Sequence, residues 1–145
     1  IQGADAGTGE DALGDDLNGS FGQIAGSGGE GTTLIADMSE KKGFDGTSAY
    51  APESYDAAAL FALAMQAAGS TEPSEYGPKI FEVANAPGEE IMPGELAKAI
   101  EILKSGGDID YVGASAVELI GGGENAGSYR EVEVKDGKYE TVGYR

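Results

Sequence analysis

The sequence predicts a helix-rich α/β fold that ends in a β-hairpin, and three observations predict it. Four stretches carry apolar residues at helical spacing between proline and glycine punctuation. Most of the apolar supply lies in those stretches, leaving only a few short strands. Near the C-terminus, Asp136-Gly137 separates two alternating segments, a two-residue hairpin signal. At 145 residues the chain makes one domain or a large piece of one, long enough to bury roughly two-thirds of its unfolded surface.

Residues 1–18 are Gly, Ala and acid with little to bury, which reads as a strand end followed by an exposed loop or half-formed helix. Phe21–Ala25 is a short apolar strand. Gly26–Gly31 turns the chain into a helix over about Thr32–Lys42, with Leu34, Ile35 and Met38 at helical spacing and Gly43 as its stop. Pro52 opens a second helix, Asp56 sits in its first turn where the macrodipole favours negative charge, and Gly69 closes it after Ala68. This helix is apolar on nearly every face. Burying Leu60, Phe61, Leu63 and Met65 contributes roughly 6–12 kcal/mol gross at about 1.5–3 kcal/mol each, more than a one-sided surface helix can collect, so it requires cover on two sides.

A third helix, about Pro78–Ala84, sets Ile80, Phe81 and Ala84 on one stripe. Pro93 opens the fourth, with Leu96, Ala99, Ile100 and Leu103 inside and Glu95/Lys98 and Glu101/Lys104 paired outside at i,i+3. Ser105-Gly106-Gly107 stops it, and Val117–Ile120 is a short strand broken by Gly121–Gly123. In the hairpin, Val134 pairs with Tyr139 and Val132 with Thr141, which turns Val132, Val134 and Tyr139 inward. Glu133 then faces Glu140, a repulsion that requires a wet face screened by Lys135 and Lys138.

Charge and composition exclude several functions. Nine basic residues against 26 acidic give −17, with no basic cluster, so a nucleic-acid or anionic-membrane partner is not expected. With no His and no Cys, zinc sites of the nitrogen and sulfur kind, thiol nucleophiles and Ser-His-Asp triads are unavailable. The longest apolar run, Ala57–Ala68 interrupted at Gln66, falls short of the ~20 residues a bilayer-spanning helix needs, so no membrane insertion is expected. Ile1 follows neither a Met nor an apolar leader, which reads as a mature protein or a fragment with its start removed.

Gly26-Ser27-Gly28-Gly29-Glu30-Gly31 satisfies G-x-G-x-x-G between a strand and a helix, the context of a dinucleotide fingerprint. Against that stand Glu30, a negative charge where phosphate must sit, and the missing second strand; Asp45 has the ribose-acid spacing but lies in a Gly-Phe-Asp-Gly turn. Asp108-Ile109-Asp110, Gly122–Asn125 and Asp136-Gly137 offer oxygen ligands without calcium-loop spacing, and read as solvated turns. Asn18-Gly19-Ser20 is formally a glycosylation acceptor. Carboxylates, tyrosines and lysines are the only proton-transfer candidates, and nothing pairs them into a catalytic set.

The chain resembles a known family over nearly its whole length. Tyr50-Ala51-Pro52-Glu53-Ser54-Tyr55-Asp56-Ala57-Ala58, Ala67–Ser70, Pro87–Ile91 and Gly106–Ser115 look like the C-terminal portion of a type I periplasmic substrate-binding protein of branched-chain amino acid ABC transporters. Phe21–Gly26 is similar to the strand before these elements, and Tyr129–Tyr144 to the closing hairpin. The match would span about the last two-fifths of a family member. The resemblance implies a partial fold of two Rossmann-like lobes: residues 1–51 in the second lobe, residues 52–116 returning to the first, and residues 117–145 crossing back and closing.

It further implies a receptor rather than an enzyme. A small solute would be gripped between the lobes in the periplasm, closure would signal to ABC permease subunits, and no cofactor would take part. Amino-acid binders of the family often carry an acid just before the glycine that begins the strand matching Gly19-Ser20-Phe21, where it holds the ligand ammonium; here that position is Asn18. The resemblance implies a small polar solute, a branched-chain amino acid or a related organic acid, with Asn18 and Gly19 as ligand contacts; because a neutral amide accepts a hydrogen bond from ammonium but does not neutralise it, Asn18 turns the expectation from an amino acid towards another small polar or acidic solute. Their alternative role is to shape a turn. The alternative function is a small nucleotide-dependent enzyme using Gly26–Gly31. With partner layers missing, the uncovered faces of the second helix also predict self-association of the isolated chain.

Overall fold

The computed structural model describes residues 15–26 and 28–145, so most of the strand end and loop expected over residues 1–18 lies outside the described residues. After a 3-10 turn at Asp15–Leu17, the elements run β1 (Phe21–Ala25), α1 (Glu30–Glu40), α2 (Ala51–Ala68), α3 (Pro73–Ala84), β2 (Glu89–Ile91), α4 (Leu96–Lys104), β3 (Ile109–Tyr111), β4 (Leu119–Ile120), β5 (Glu124–Asn125), β6 (Tyr129–Lys135) and β7 (Lys138–Tyr144). The architecture is mixed α/β, as expected, with three small sheets: β1-β6-β7, β2-β3 and β4-β5.

Helix starts differ from the punctuation. α1 begins at Glu30 and ends at Glu40, two residues earlier than expected at each end. Gly43 does not cap it directly; it takes φ 81° in the following turn, where its N–H donates to the Glu40 carbonyl at 3.1 Å. α3 begins at Pro73 rather than Pro78 and runs through the second proline. Gly77 precedes that proline and lacks the Cβ whose clash with the ring normally drives the preceding residue out of the helix. α4 starts at Leu96, not at Pro93, and the Met92 N–H just before that turn donates to the Glu95 carboxylate at 2.9 Å. Gly69 closes α2 as predicted, at φ 63°, with its N–H on the Gln66 carbonyl and the Ser70 N–H on the Met65 carbonyl.

The main core gathers Ala59, Leu63 and Ala64 of α2, Val83 and Ala84 of α3, Ala99 of α4, and Ile91, Ile109 and Tyr111 of the β2-β3 sheet. On α2 the buried stripe is Pro52, Asp56, Ala59, Leu63 and Ala64, while Ala57, Ala58, Phe61 and Ala62 on the opposite side are exposed. Phe61 is 46% exposed. Among the described residues, cover for α2 lies on that one side, from α3, α4 and the β2-β3 sheet.

Asp108-Ile109-Asp110 is not a free acidic turn: Ile109 and Asp110 belong to β3, which runs parallel to β2 with Glu89 opposite Ile109 and Ile91 opposite Tyr111. Ile91, Ile109 and Tyr111 face the helices; Glu90 and Asp110 share the other face. Parallel strands normally have both faces covered, and among the described residues the second face here carries an exposed Glu90 and a half-buried Asp110. Partial burial raises the Asp110 carboxyl above its ordinary value, and the charges of Glu118 and Glu90 raise it further. The folded state then holds this proton more tightly than the unfolded chain, so stability is present below the unfolded value and lost as pH rises through the folded one. Asp110→Asn is expected to raise the urea midpoint at pH 7 and to leave it little changed at pH 3; an unchanged midpoint at pH 7 would show that neither burial nor the neighbouring charges disfavour the ionised carboxylate.

The hairpin register is the predicted one: Val134 opposite Tyr139, Val132 opposite Thr141 and Glu133 opposite Glu140. Asp136 and Gly137 take φ 50° and 70°, as a type I′ turn requires. Lys135 relieves the Glu133/Glu140 repulsion directly, with Nζ 2.7 Å from Glu140 and 3.2 Å from Glu133. Val132 and Val134 are buried, but Tyr139 is 38% exposed, against expectation. It lies on the edge strand β7, beyond the cover that the central strand β6 enjoys. The strand expected over Val117–Ile120 shrinks to Leu119–Ile120; Val117 is instead held in a loop, its N–H on the Val112 carbonyl at 2.8 Å.

Candidate functional site

Among the described residues the structure brings polar groups together where α2 begins beside the end of β1. There a cleft of about 120 Å³ is lined by Ala25, by Tyr50 and Glu53 at the start of α2, by Ser115 after β3, and by Asn125, Gly127, Ser128 and Tyr129 on the way into β6. Two larger open depressions exist, each of about 430 Å³. One lies under the end of α1 around Phe44 and Asp45, the other on the exposed sheet face around Phe21 and Val142. The first is shaped by an internal turn in which Asp45 accepts from the Thr47 N–H at 2.8 Å and the Thr47 hydroxyl at 2.6 Å, which lowers the Asp45 carboxyl. The second is lined by one sheet alone, by Phe21, Gly22 and Gln23 of β1, Glu131 of β6 and Val142 of β7. The small cleft is where several elements converge, the usual place for a ligand.

Its floor is set by a loop gripped from both sides. Asp56 is buried, and its carboxylate accepts four hydrogen bonds: from the Tyr111 hydroxyl at 2.8 Å, the Ala114 N–H at 2.8 Å, the Ser115 N–H at 2.7 Å and the Ser115 hydroxyl at 2.6 Å. Burial pushes the Tyr111 phenol far above its ordinary value, the Asp56 charge adds to this, and the hydroxyl stays a donor. From the other side, Gly31 of α1 lies so close to Gly113 and Ala114 that a Cβ there would collide with the Gly113 carbonyl. The Thr32 hydroxyl donates to the Ala114 carbonyl at 3.2 Å. Ser115 thus reaches the cleft from a fixed backbone.

The walls carry the chemistry. Tyr50 precedes α2 with φ 65°, a left-handed conformation that is uncommon and strained for an aromatic residue, and its carbonyl accepts from the Ser54 N–H at 2.9 Å. Tyr50 is 60% exposed, and Tyr129, whose ring lies over Gly127, is 47% exposed. Asn125 is committed to the scaffold, its carboxamide oxygen accepting the Glu118 N–H at 2.8 Å. Glu53 differs from the rest: its Oε2 is shut off from solvent and meets no hydrogen-bond donor among the described residues. A carboxylate oxygen in that condition is costly unless something supplies a partner.

Asn18 and Gly19 lie elsewhere, at the hairpin turn. The Asn18 side-chain oxygen accepts the Gly137 N–H at 3.0 Å, and Gly19, at φ 83°, donates its N–H to the Val134 carbonyl at 2.8 Å. Neither lines the cleft. The Gly26–Gly31 turn does sit between a strand and a helix, yet β1 pairs antiparallel with β6 rather than in a parallel unit. Gly28 and Gly31 face this chain's own Tyr144 ring and Gly113 carbonyl, while Gly26 and Gly29 border open space. No group of three or more Asp and Glu residues able to hold a metal occurs among the described residues. Tyr50, Glu53 and Tyr129 as wall residues were not singled out in the sequence; the signal was only that all three fall within segments that carry the family resemblance. No protein-family model matches the chain, and no curated protein or solved structure matches it either.

Proposed function

We propose that this chain belongs to a solute-binding receptor of an ABC uptake system, working in the periplasm, which closes around a small polar solute between two lobes and presents the loaded state to permease subunits. The observation that carries this reading is the cleft at the start of α2, with Glu53 holding an unpartnered carboxylate oxygen beside two exposed tyrosines. At about 120 Å³ it is smaller than the ~300 Å³ at which complete ligand pockets begin, which suits one wall of a site completed by closure. The half-covered β2-β3 pair and the bare side of α2 support it as well, since both are surfaces that a further layer would cover. The finer fold assignment, a partial type I periplasmic-binding-protein fold, rests on the same points and on the sequence resemblance.

Calorimetric titration with a panel of amino acids and small organic acids and amines, run beside NAD(H) and NADP(H), tests the reading. Saturable heat is expected for at least one small solute and for none of the nucleotides. Saturable nucleotide binding without any solute binding would instead establish the Gly26–Gly31 enzyme alternative.

A further inference from the structure

We propose that the solute held at Tyr50, Glu53 and Tyr129 is a small organic cation, an alkylammonium group without a carboxylate. This rests on the receptor reading above and narrows it. The cleft lining contains one carboxylate and no Lys or Arg. A zwitterion or an organic acid is best held by a positive charge against its own carboxylate; the lining offers only neutral donors for that, and the Ser115 N–H and hydroxyl among them are already turned onto Asp56. Glu53 asks for the opposite partner: it is the one carboxylate of the lining and its Oε2 meets no donor among the described residues, so a positive charge drawn against this side chain supplies what those residues do not.

The two tyrosines fit the same ligand. Tyr50 and Tyr129 are 60% and 47% exposed beside that carboxylate, and exposed aromatic faces next to an acid are how proteins hold alkylammonium groups. The long-range field agrees, because a chain carrying −17 draws cations toward any concave surface and repels anions.

The test is calorimetry on the whole chain at a fixed ionic strength of about 0.15 M, where diffuse attraction to the acidic surface is screened. The probes are tetramethylammonium, n-butylammonium, leucine and isovalerate, with NAD(H) alongside. Saturable binding of at least one of the two cations is expected, with leucine at least tenfold weaker and isovalerate not binding. Glu53→Gln and Tyr50→Ala should each weaken the cation at least tenfold, while Glu101→Gln, on the exposed side of α4, should not. Tighter binding of leucine or isovalerate than of either cation would overturn the cation and leave the receptor standing. An equal loss in Glu101→Gln would overturn the site and leave only bulk charge. Binding of NAD(H) alone, or of no probe, would overturn both the cation and the receptor.

Discussion

Asp56→Ala should destabilise the fold by about 3–5 kcal/mol, read as a drop in the urea midpoint at unchanged slope. Asp56 is 2% exposed, and its carboxylate accepts from the Tyr111 hydroxyl and from the N–H groups of Ala114 and Ser115. Deleting it leaves those donors and the Ser115 hydroxyl buried, at about 1–3 kcal/mol for each group that no water reaches. Asp56→Asn keeps the volume but replaces one acceptor by an NH2 facing a backbone or hydroxyl donor, so a loss of about 2 kcal/mol is expected. The consequence is functional as well, because the loop that Asp56 anchors delivers Ser115 to the cleft. Solute affinity should fall in both variants even at temperatures where they remain folded. A loss under about 1 kcal/mol for Asp56→Ala would mean that water already serves this loop and that the carboxylate is only a helix-terminal charge.

That last role is the one visible in the sequence, and the gap shows which information a sequence carries. Position 56 in the first turns of a helix is a local fact, and so are the Asp136-Gly137 turn, the left-handed Gly69 and the i,i+3 pairs of α4. Each depends on residues within a few positions of one another, so spacing alone predicts it, and the hairpin register came out residue for residue. The partners of Asp56 lie 55 to 59 positions away, and Thr32 meets Ala114 across 82. No periodicity encodes such pairings. The β2 and β3 strands escaped for a different reason: three residues each is too short for an alternation to register, and their acidic members look like turn residues until the parallel partner is in place. Glu53 likewise reads as a favourable charge near a helix start; only the burial of Oε2 without a donor marks it out. Asn18 was singled out by its place before Gly19, and the hydrogen bond that occupies it comes from a residue 119 positions on.

Gly31→Ala is the substitution on which local and tertiary arguments disagree in sign, and the tertiary one should win. Glycine in the first turn of α1 is unfavourable by helix propensity, so alanine alone would stabilise by up to about 1 kcal/mol. The added Cβ, however, would run into the Gly113 carbonyl, 3.0 Å from the Ala114 Cα and 3.1 Å from its carbonyl oxygen, all of them backbone atoms that cannot rotate away. Relief requires α1 to lift off the 113–115 loop, and Asp56 holds that loop from the far side. The net expectation is a destabilisation of about 2–3 kcal/mol, typical of overpacking at a close approach. Thr33→Ala on the exposed side of the same turn should stay within about 0.5 kcal/mol, which separates the clash from any general effect on the helix. A Gly31→Ala variant as stable as the parent, or more so, would show that α1 and the loop are not in contact in solution. The cleft would then lack its floor, and the reading of Glu53 as a ligand-facing carboxylate would lose the scaffold it depends on.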